Sequence, residues 1–154
     1  MANPIKATIT QSGRTPAAVS RDLAAAMNFA IKGVAEHFGN RAILNASIDL
    51  DPLRKSIKAT VLQKATVATP VAKAEVSADT PYAFKVHEQH KPAKGGTFNK
   101  GLRTLAQPGT PEGGAGGAFF KRVSDFNFDR YSRFVAAFAD AAMKNTKIPD
   151  KLPS

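Results

Sequence analysis

Apolar residues recur along this chain with two different periods. After Thr15-Pro16, a capping residue followed by a proline suited to a first helical position, Val19, Leu23, Met27, Ile31, Val34 and Phe38 follow at spacings of three or four. That stripe predicts an amphipathic helix ending at Gly39-Asn40, with a Lys32/Glu36 pair off the stripe and His37 in the last turn. Arg41 to Leu50 reads either as a short strand, with Ile48 and Leu50 alternating with polar residues, or as irregular structure. Asp51-Pro52 is a second cap-plus-proline start and predicts one helical turn to about Ile57, with Leu53 and Ile57 inward.

From Lys58 the period becomes two. Ala59 to Lys64, continuing through Thr66-Val67, predicts a strand, Ala68-Thr69-Pro70 a turn, and Val71 to Ser77 a return strand. Ala72, Ala74 and Val76 share one face of the return strand, and Lys73, Glu75 and Ser77 the other, so the expectation is an antiparallel hairpin with one solvated face. After Asp79-Thr80-Pro81, Tyr82 and Val86 fall four apart, on one face of a short helix; Phe84 and Val86 would suit a strand equally. Phe119-Phe120 reads as an aromatic anchor, Ser124 to Asn127 as a break, and Phe128 to Lys144 as the last helix. Phe128, Tyr131, Val135, Phe138 and Ala142 form its stripe, which Phe134 widens.

The fold class expected from these elements is α+β. It comprises a long N-terminal helix, a small hairpin-based antiparallel sheet, a long loop, and a C-terminal helix packed on the sheet. Residues 1–14 read as a tail or a lone edge strand carrying Ile5, Ala7 and Ile9. Residues 15–146 read as a single domain with an extended loop at 89–117, and 147–154 as a tail with Pro149 and Pro153. The loop holds eight of eleven glycines and three of ten prolines, and no hydrophobic period runs through it. Its cations, Lys91, Lys94, Lys100 and Arg103, face a single acid, Glu112. Two readings stand: an arm that orders on contact with a neighbouring subunit or with phosphate, and a flexible insertion without a role of its own.

Charge adds a direction. Lysine and arginine number 22 against 12 acids, giving +10 at neutral pH and raising the odds of a polyanionic partner. The cations are spread along the chain, so a charge that only maintains solubility is an equal reading. The chain has no cysteine, which excludes disulfides, thiol nucleophiles and thiolate metal sites. Met1 to Arg14 lacks the apolar stretch of a signal peptide, and no apolar run approaches a membrane span, so a soluble chain is expected.

Candidate chemistry is sparse. His87-Glu88-Gln89-His90 brings the second histidine one residue too early for the zinc-protease spacing, and no third ligand lies nearby; capping or interface contact suits His87 and Glu88 better. Gly113 to Gly117 lacks the Lys-Ser/Thr ending of a phosphate loop, and no serine sits in a Gly-x-Ser-x-Gly elbow. Paired carboxylates do not stand out. The expectation is a non-enzymatic protein without metal or cofactor. The alternatives are a basic, nonspecific nucleic-acid-binding protein, and a small hydrolase or metalloprotein using His87 and His90.

Three segments, taken in order, carry a family resemblance. Asp51-Pro52-Leu53-Arg54-Lys55-Ser56-Ile57 follows the long helix, Pro81-Tyr82-Ala83-Phe84-Lys85-Val86-His87-Glu88 precedes the loop, and Gly117-Ala118-Phe119-Phe120 opens the last helix. This order resembles the neck and tail-completion (head–tail connector, minor tail) proteins of tailed bacteriophages over most of residues 15–145. Asp51-Pro52 departs from the family's Thr-Gly, Glu88 is not followed by Gly-Thr, and the loop is unusually long. The resemblance implies a structural virion subunit, assembled in the host cytoplasm into a homo-oligomeric ring of six or twelve copies. The ring joins the portal side of the capsid to the tail, contacts neighbouring connector and tail proteins, and passes genomic double-stranded DNA through its lumen. It further implies core or junction roles for Leu53, Tyr82, Val86, Phe119 and Phe120. Lys91, Lys94, Lys100 and Arg103 are expected to face another subunit or DNA.

Overall fold

A computed structural model describes residues 5–12, 21–46, 51–69, 71–88, 110–112 and 118–144. The fold is α+β, as the sequence predicts: among the described residues there are four helices and a three-stranded antiparallel sheet, with the C-terminal helix packed on the sheet. In chain order the elements are β1 (Ile5–Ser12), α1 (Arg21–Asn45), α2 (Asp51–Ser56), β2 (Ile57–Gln63), β3 (Val71–Ala78), α3 (Ala83–Glu88) and α4 (Phe119–Met143). The strand order is β1-β3-β2, so β2 and β3 form the expected hairpin and β1 adds to the far side of β3. Of the two readings for the N-terminus, the structure takes the edge strand.

β3 shows why the hairpin forms. Ala72, Ala74, Val76 and Ala78 are buried, and the residues between them are half-buried, the alternation of a strand with one face in a core. The turn closes through Thr66, whose amide donates to the Thr69 carbonyl at 2.9 Å and whose hydroxyl accepts from the Thr69 amide at 2.9 Å.

The chain divides into two compact units. One contains Met1–Ala7, Phe38–Lys58 and Val76–Phe126; the other contains Thr8–His37, Ala59–Glu75 and Asn127–Ser154. In the second unit, Ala26, Ala30 and Val34 of α1 pack with Phe134 and Phe138 of α4, and Tyr131, Val135 and Ala142 border this cluster. Phe138 stacks on Phe29 at 5.6 Å and lies tilted against Phe134 at 4.6 Å. Small residues on α1 admit these rings; a Cβ at Gly33 would sit 3.7 Å from the Phe134 ring, in ordinary contact. Asn28 reaches the end of the hairpin. Its amide nitrogen donates to the Ala65 carbonyl at 2.9 Å, and its oxygen accepts from the Ala65 amide at 2.6 Å, as a neighbouring strand would.

Three expectations need correction. α1 does not stop at Gly39-Asn40 but runs on to Asn45, through Arg41 to Leu44, where a strand or irregular structure was expected. A glycine costs only about 1 kcal/mol in a helix, and this extension buries Ala42, Asn45 and Ala46 completely. His37 consequently lies inside the helix, sharing a 2.8 Å hydrogen bond between its Nδ1 and the Tyr131 hydroxyl. α4 has no break at Ser124 to Asn127; it is continuous from Phe119. Within the predicted stripe Phe138 and the flanking Phe134 are buried and Tyr131, Val135 and Ala142 border their cluster, but Phe128 is 66% exposed, and the buried face continues instead through Asn127, Val123 and Phe120. Thr15-Pro16, predicted to start α1, and Val19, Ile48, Leu50, Pro149 and Pro153 fall outside the described residues.

Candidate interaction site

The largest concentration of polar chemistry lies at the C-terminal end of α1, in the first unit. A helix ends with four carbonyls that its own backbone cannot satisfy. Here two arginines from elsewhere supply donors. Arg54 of α2 donates through Nε and Nη2 to the Ala46 carbonyl at 3.0 and 2.7 Å, and through Nη2 to the Leu44 carbonyl at 3.4 Å. Arg122 of α4 donates to the Asn45 carbonyl at 3.3 Å. Both guanidiniums oppose the negative end of the helix dipole as well as satisfying its acceptors.

Glu112 completes the arrangement. Its carboxylate is 1% exposed, a position a lone charge would not hold at neutral pH. Arg41 meets it in a fork, Nε to Oε1 at 2.7 Å and Nη2 to Oε2. Asn45 donates to the same carboxylate at 3.4 Å and to the Arg41 carbonyl at 2.8 Å, while its own oxygen accepts from the Thr110 hydroxyl at 2.7 Å. Arg122 adds a bond to the Glu112 carbonyl at 3.3 Å. Burial pushes the Arg122 pKa down, and the nearby Glu112 charge pushes it back up. The network therefore fixes Thr110 to Glu112, the distal part of the 89–117 segment, onto α1. The sequence carried one signal for this: Glu112 is the single acid in an otherwise basic stretch.

A second junction joins α3 to α4. The Ala118 amide donates to the His87 carbonyl at 2.7 Å, and the Ala118 carbonyl accepts the Arg122 amide at 2.9 Å, opening the helix. Ala118 holds φ at 52°, in the left-handed region, and is buried. The His87 ring lies edge-on to Phe119 at 5.4 Å and tilted to Phe120 at 6.0 Å; Phe120 in turn meets Phe38 of α1 at 5.8 Å. His87 thus contributes an aromatic packing surface and a backbone acceptor.

Of the residues singled out from the sequence, Leu53 and Phe119 are fully buried, Phe120 nearly so, and Tyr82 half-buried beside a fully buried Ala83. Val86 lies within α3, but its side chain falls outside the described residues, as do Lys91, Lys94, Lys100, Arg103 and His90. The Thr80 carbonyl, not its hydroxyl, accepts the Ala83 amide that starts α3. Among the described residues no cluster of histidine and acid side chains is arranged to hold a metal, and no helix is long and apolar enough to cross a membrane. Arg41, Asn45, Arg54 and Arg122 are the side chains that sequence reading missed. Nothing in their spacing announces them, because they meet only when α1, α2 and α4 fold together. Comparison with protein-family models, curated proteins and solved structures finds no match.

Proposed function

We propose that the chain is a structural subunit of the neck or tail-completion region of a tailed bacteriophage. In this reading it assembles as a homo-oligomeric ring between capsid and tail and has no catalytic role. The observation that carries the reading is where its three sequence segments fall. Asp51–Ile57 forms α2 and enters β2, Pro81–Glu88 contains α3, and Ala118–Phe120 opens α4. All three belong to one compact unit, where Arg54 closes the end of α1, the His87 carbonyl takes the Ala118 amide, and Phe120 meets Phe38. The segments that carry the resemblance thus supply contacts at both junctions of that unit, the end of α1 and the α3–α4 step, as parts of a shared scaffold would.

A frame of this kind suits mechanical work. The buried Glu112 and Asn45 side chains are committed to protein partners, and Glu112 anchors the distal part of the basic 89–117 segment. The test is assembly. Purified protein, examined by multi-angle light scattering and negative-stain electron microscopy, is expected to form closed rings, and mass spectrometry of purified virions is expected to find it. A sharp monomer together with absence from virions sinks the reading. The net charge of +10 favours one other reading, nonspecific binding of nucleic acid. Under that reading DNA affinity falls steeply with salt, and a flat or absent response removes it.

A further inference from the structure

The two outer strands of the sheet carry nearly the same heptad. Ile5-Lys6-Ala7-Thr8-Ile9-Thr10-Gln11 in β1 recurs as Ile57-Lys58-Ala59-Thr60-Val61-Leu62-Gln63 in β2, with five of seven positions identical and a sixth exchanging Ile for Val. Both strands run antiparallel to β3, one on each side of it, so they point the same way. Equivalent positions also share a face by alternation: Lys6 and Thr8 are exposed on one face of β1 with Ala7 half-buried on the other, and Lys58 and Thr60 lie on the face of β2 opposite the buried Ile57. β1 therefore pairs with β3 through one side of its backbone and β2 through the opposite side. Among the described residues no strand pairs with the other side of β2, and that is the side that, in β1, already pairs with β3.

The chain thus displays the complement of its own free edge. That complement is Val71-Ala72-Lys73-Ala74-Glu75-Val76-Ser77-Ala78, a strand with small apolar residues on one face and Lys73, Glu75 and Ser77 on the other, Glu75 being its one acid. Each heptad carries a lysine and no acid. β2 also leaves apolar side chains uncovered on both faces, with Val61 36% and Leu62 54% exposed. A second copy is a poor occupant. Its β3 has both sides taken, and its β1 or β2 would bring one acid-free, lysine-bearing heptad against another. Lysines on an exposed edge discourage that kind of self-pairing.

We propose that the free edge of β2 is a strand-addition site for an extended segment of a different protein. That segment runs antiparallel to β2, carries small apolar residues in alternation, and places an acid on the lysine-bearing face. Main-chain bonds supply the affinity, and the charge and the alternation supply the choice of partner. The chemistry of the edge holds whether or not the chain assembles into rings.

The probe is a fluorescein-labelled synthetic peptide with the sequence of residues 71–78, titrated with the full-length protein and read by anisotropy. Saturable binding is expected. Replacing the peptide's glutamate with lysine is expected to weaken it by about fivefold, the scale of a cross-strand charge pair, and the Lys58→Glu protein is expected to reverse that preference. Thr60→Pro and Val61→Pro separate edge from fold, because adjacent amides point to opposite sides of a strand. One of the two is expected to abolish binding while keeping the far-UV spectrum of the parent. No saturable binding at about 1 mM peptide, where even a weak site fills, overturns the proposal, as does equal affinity for the glutamate and lysine peptides. An oligomer that Leu62→Lys dissolves overturns it too, since a second copy would then cover this edge.

Discussion

The two compact units hold themselves together by opposite means. In the second, small residues on one face of α1 admit the rings of Phe134 and Phe138 in an apolar cluster, with the Asn28–Ala65 and His37–Tyr131 hydrogen bonds outside it. In the first, apolar side chains such as Leu53 and Phe119 surround a charged network of Arg41, Glu112, Asn45 and Arg122. The contrast teaches what each kind of contact can specify. Apolar packing rewards volume, and substitutions of similar size are tolerated. A buried carboxylate admits few arrangements, because each missing donor leaves a desolvated charge. The first unit can therefore hold an irregular segment, Thr110 to Glu112, in one position, which packing of small and aromatic side chains alone would define less sharply.

The strongest way to break the comparison is to empty the apolar side. Phe138→Ala is expected to cost about 3–5 kcal/mol, the range for large aromatic truncations in cores, measured by urea denaturation. Hydrogen exchange in that variant should lose protection in Ala26 to Val34 before Ala42 to Asn45. Next comes the charged side. Arg41→Ala leaves the Glu112 carboxylate without its fork and is expected to cost about 2–3 kcal/mol, below the value for a fully buried pair because Arg41 is itself partly exposed. The companion Arg41→Ala/Glu112→Leu protein should recover part of that loss, and failure to recover any would show that the network contributes more than the burial of its charge costs.

A smaller effect belongs to Asn28. Replacing it with alanine removes both bonds to Ala65 and is expected to cost about 1–2 kcal/mol, with exchange at the Ala65 amide rising well above that of the β3 amides. The smallest effect has the opposite sign. Gly33→Ala places a methyl in ordinary contact with Phe134 and gains helix propensity, so stability should rise by about 0.5–1 kcal/mol. A loss there would mean that the second unit tolerates less added volume than its apolar character suggests.

How much of this was legible from the sequence follows the same division. Met27, Ile31, Val34 and Phe38 announce α1 because apolar burial imposes a period, and the β3 alternation is equally plain. Gly39-Asn40 and Ser124 to Asn127 mislead because their local preferences are weak. Burial of Ala42, Asn45 and Asn127 within longer helices outweighs them. Arg54 and Arg122 could not be recognised as closing α1, since that role depends on carbonyls whose position only the folded helix fixes. Glu112 was conspicuous as a lone acid, although its partner was not. The heptad shared by β1 and β2 was in plain view as letters; its meaning needed the strand order.

Ala118 has a consequence for how this sequence is free to vary. It holds a left-handed backbone at the step into α4, is buried, and has its amide and carbonyl both engaged. Glycine adopts that conformation most easily; asparagine and aspartate also enter it more readily than alanine but would bury a polar side chain, and a β-branched residue meets both backbone strain and a lack of room. In a saturation library of this position, survivors should be almost entirely glycine and alanine, whereas exposed Phe128, ten residues on, should accept nearly anything polar. A pattern that narrow, set immediately before an aromatic pair and a long helix, is a mark by which distant descendants of the same ancestor could be recognised after the rest of their sequences had diverged.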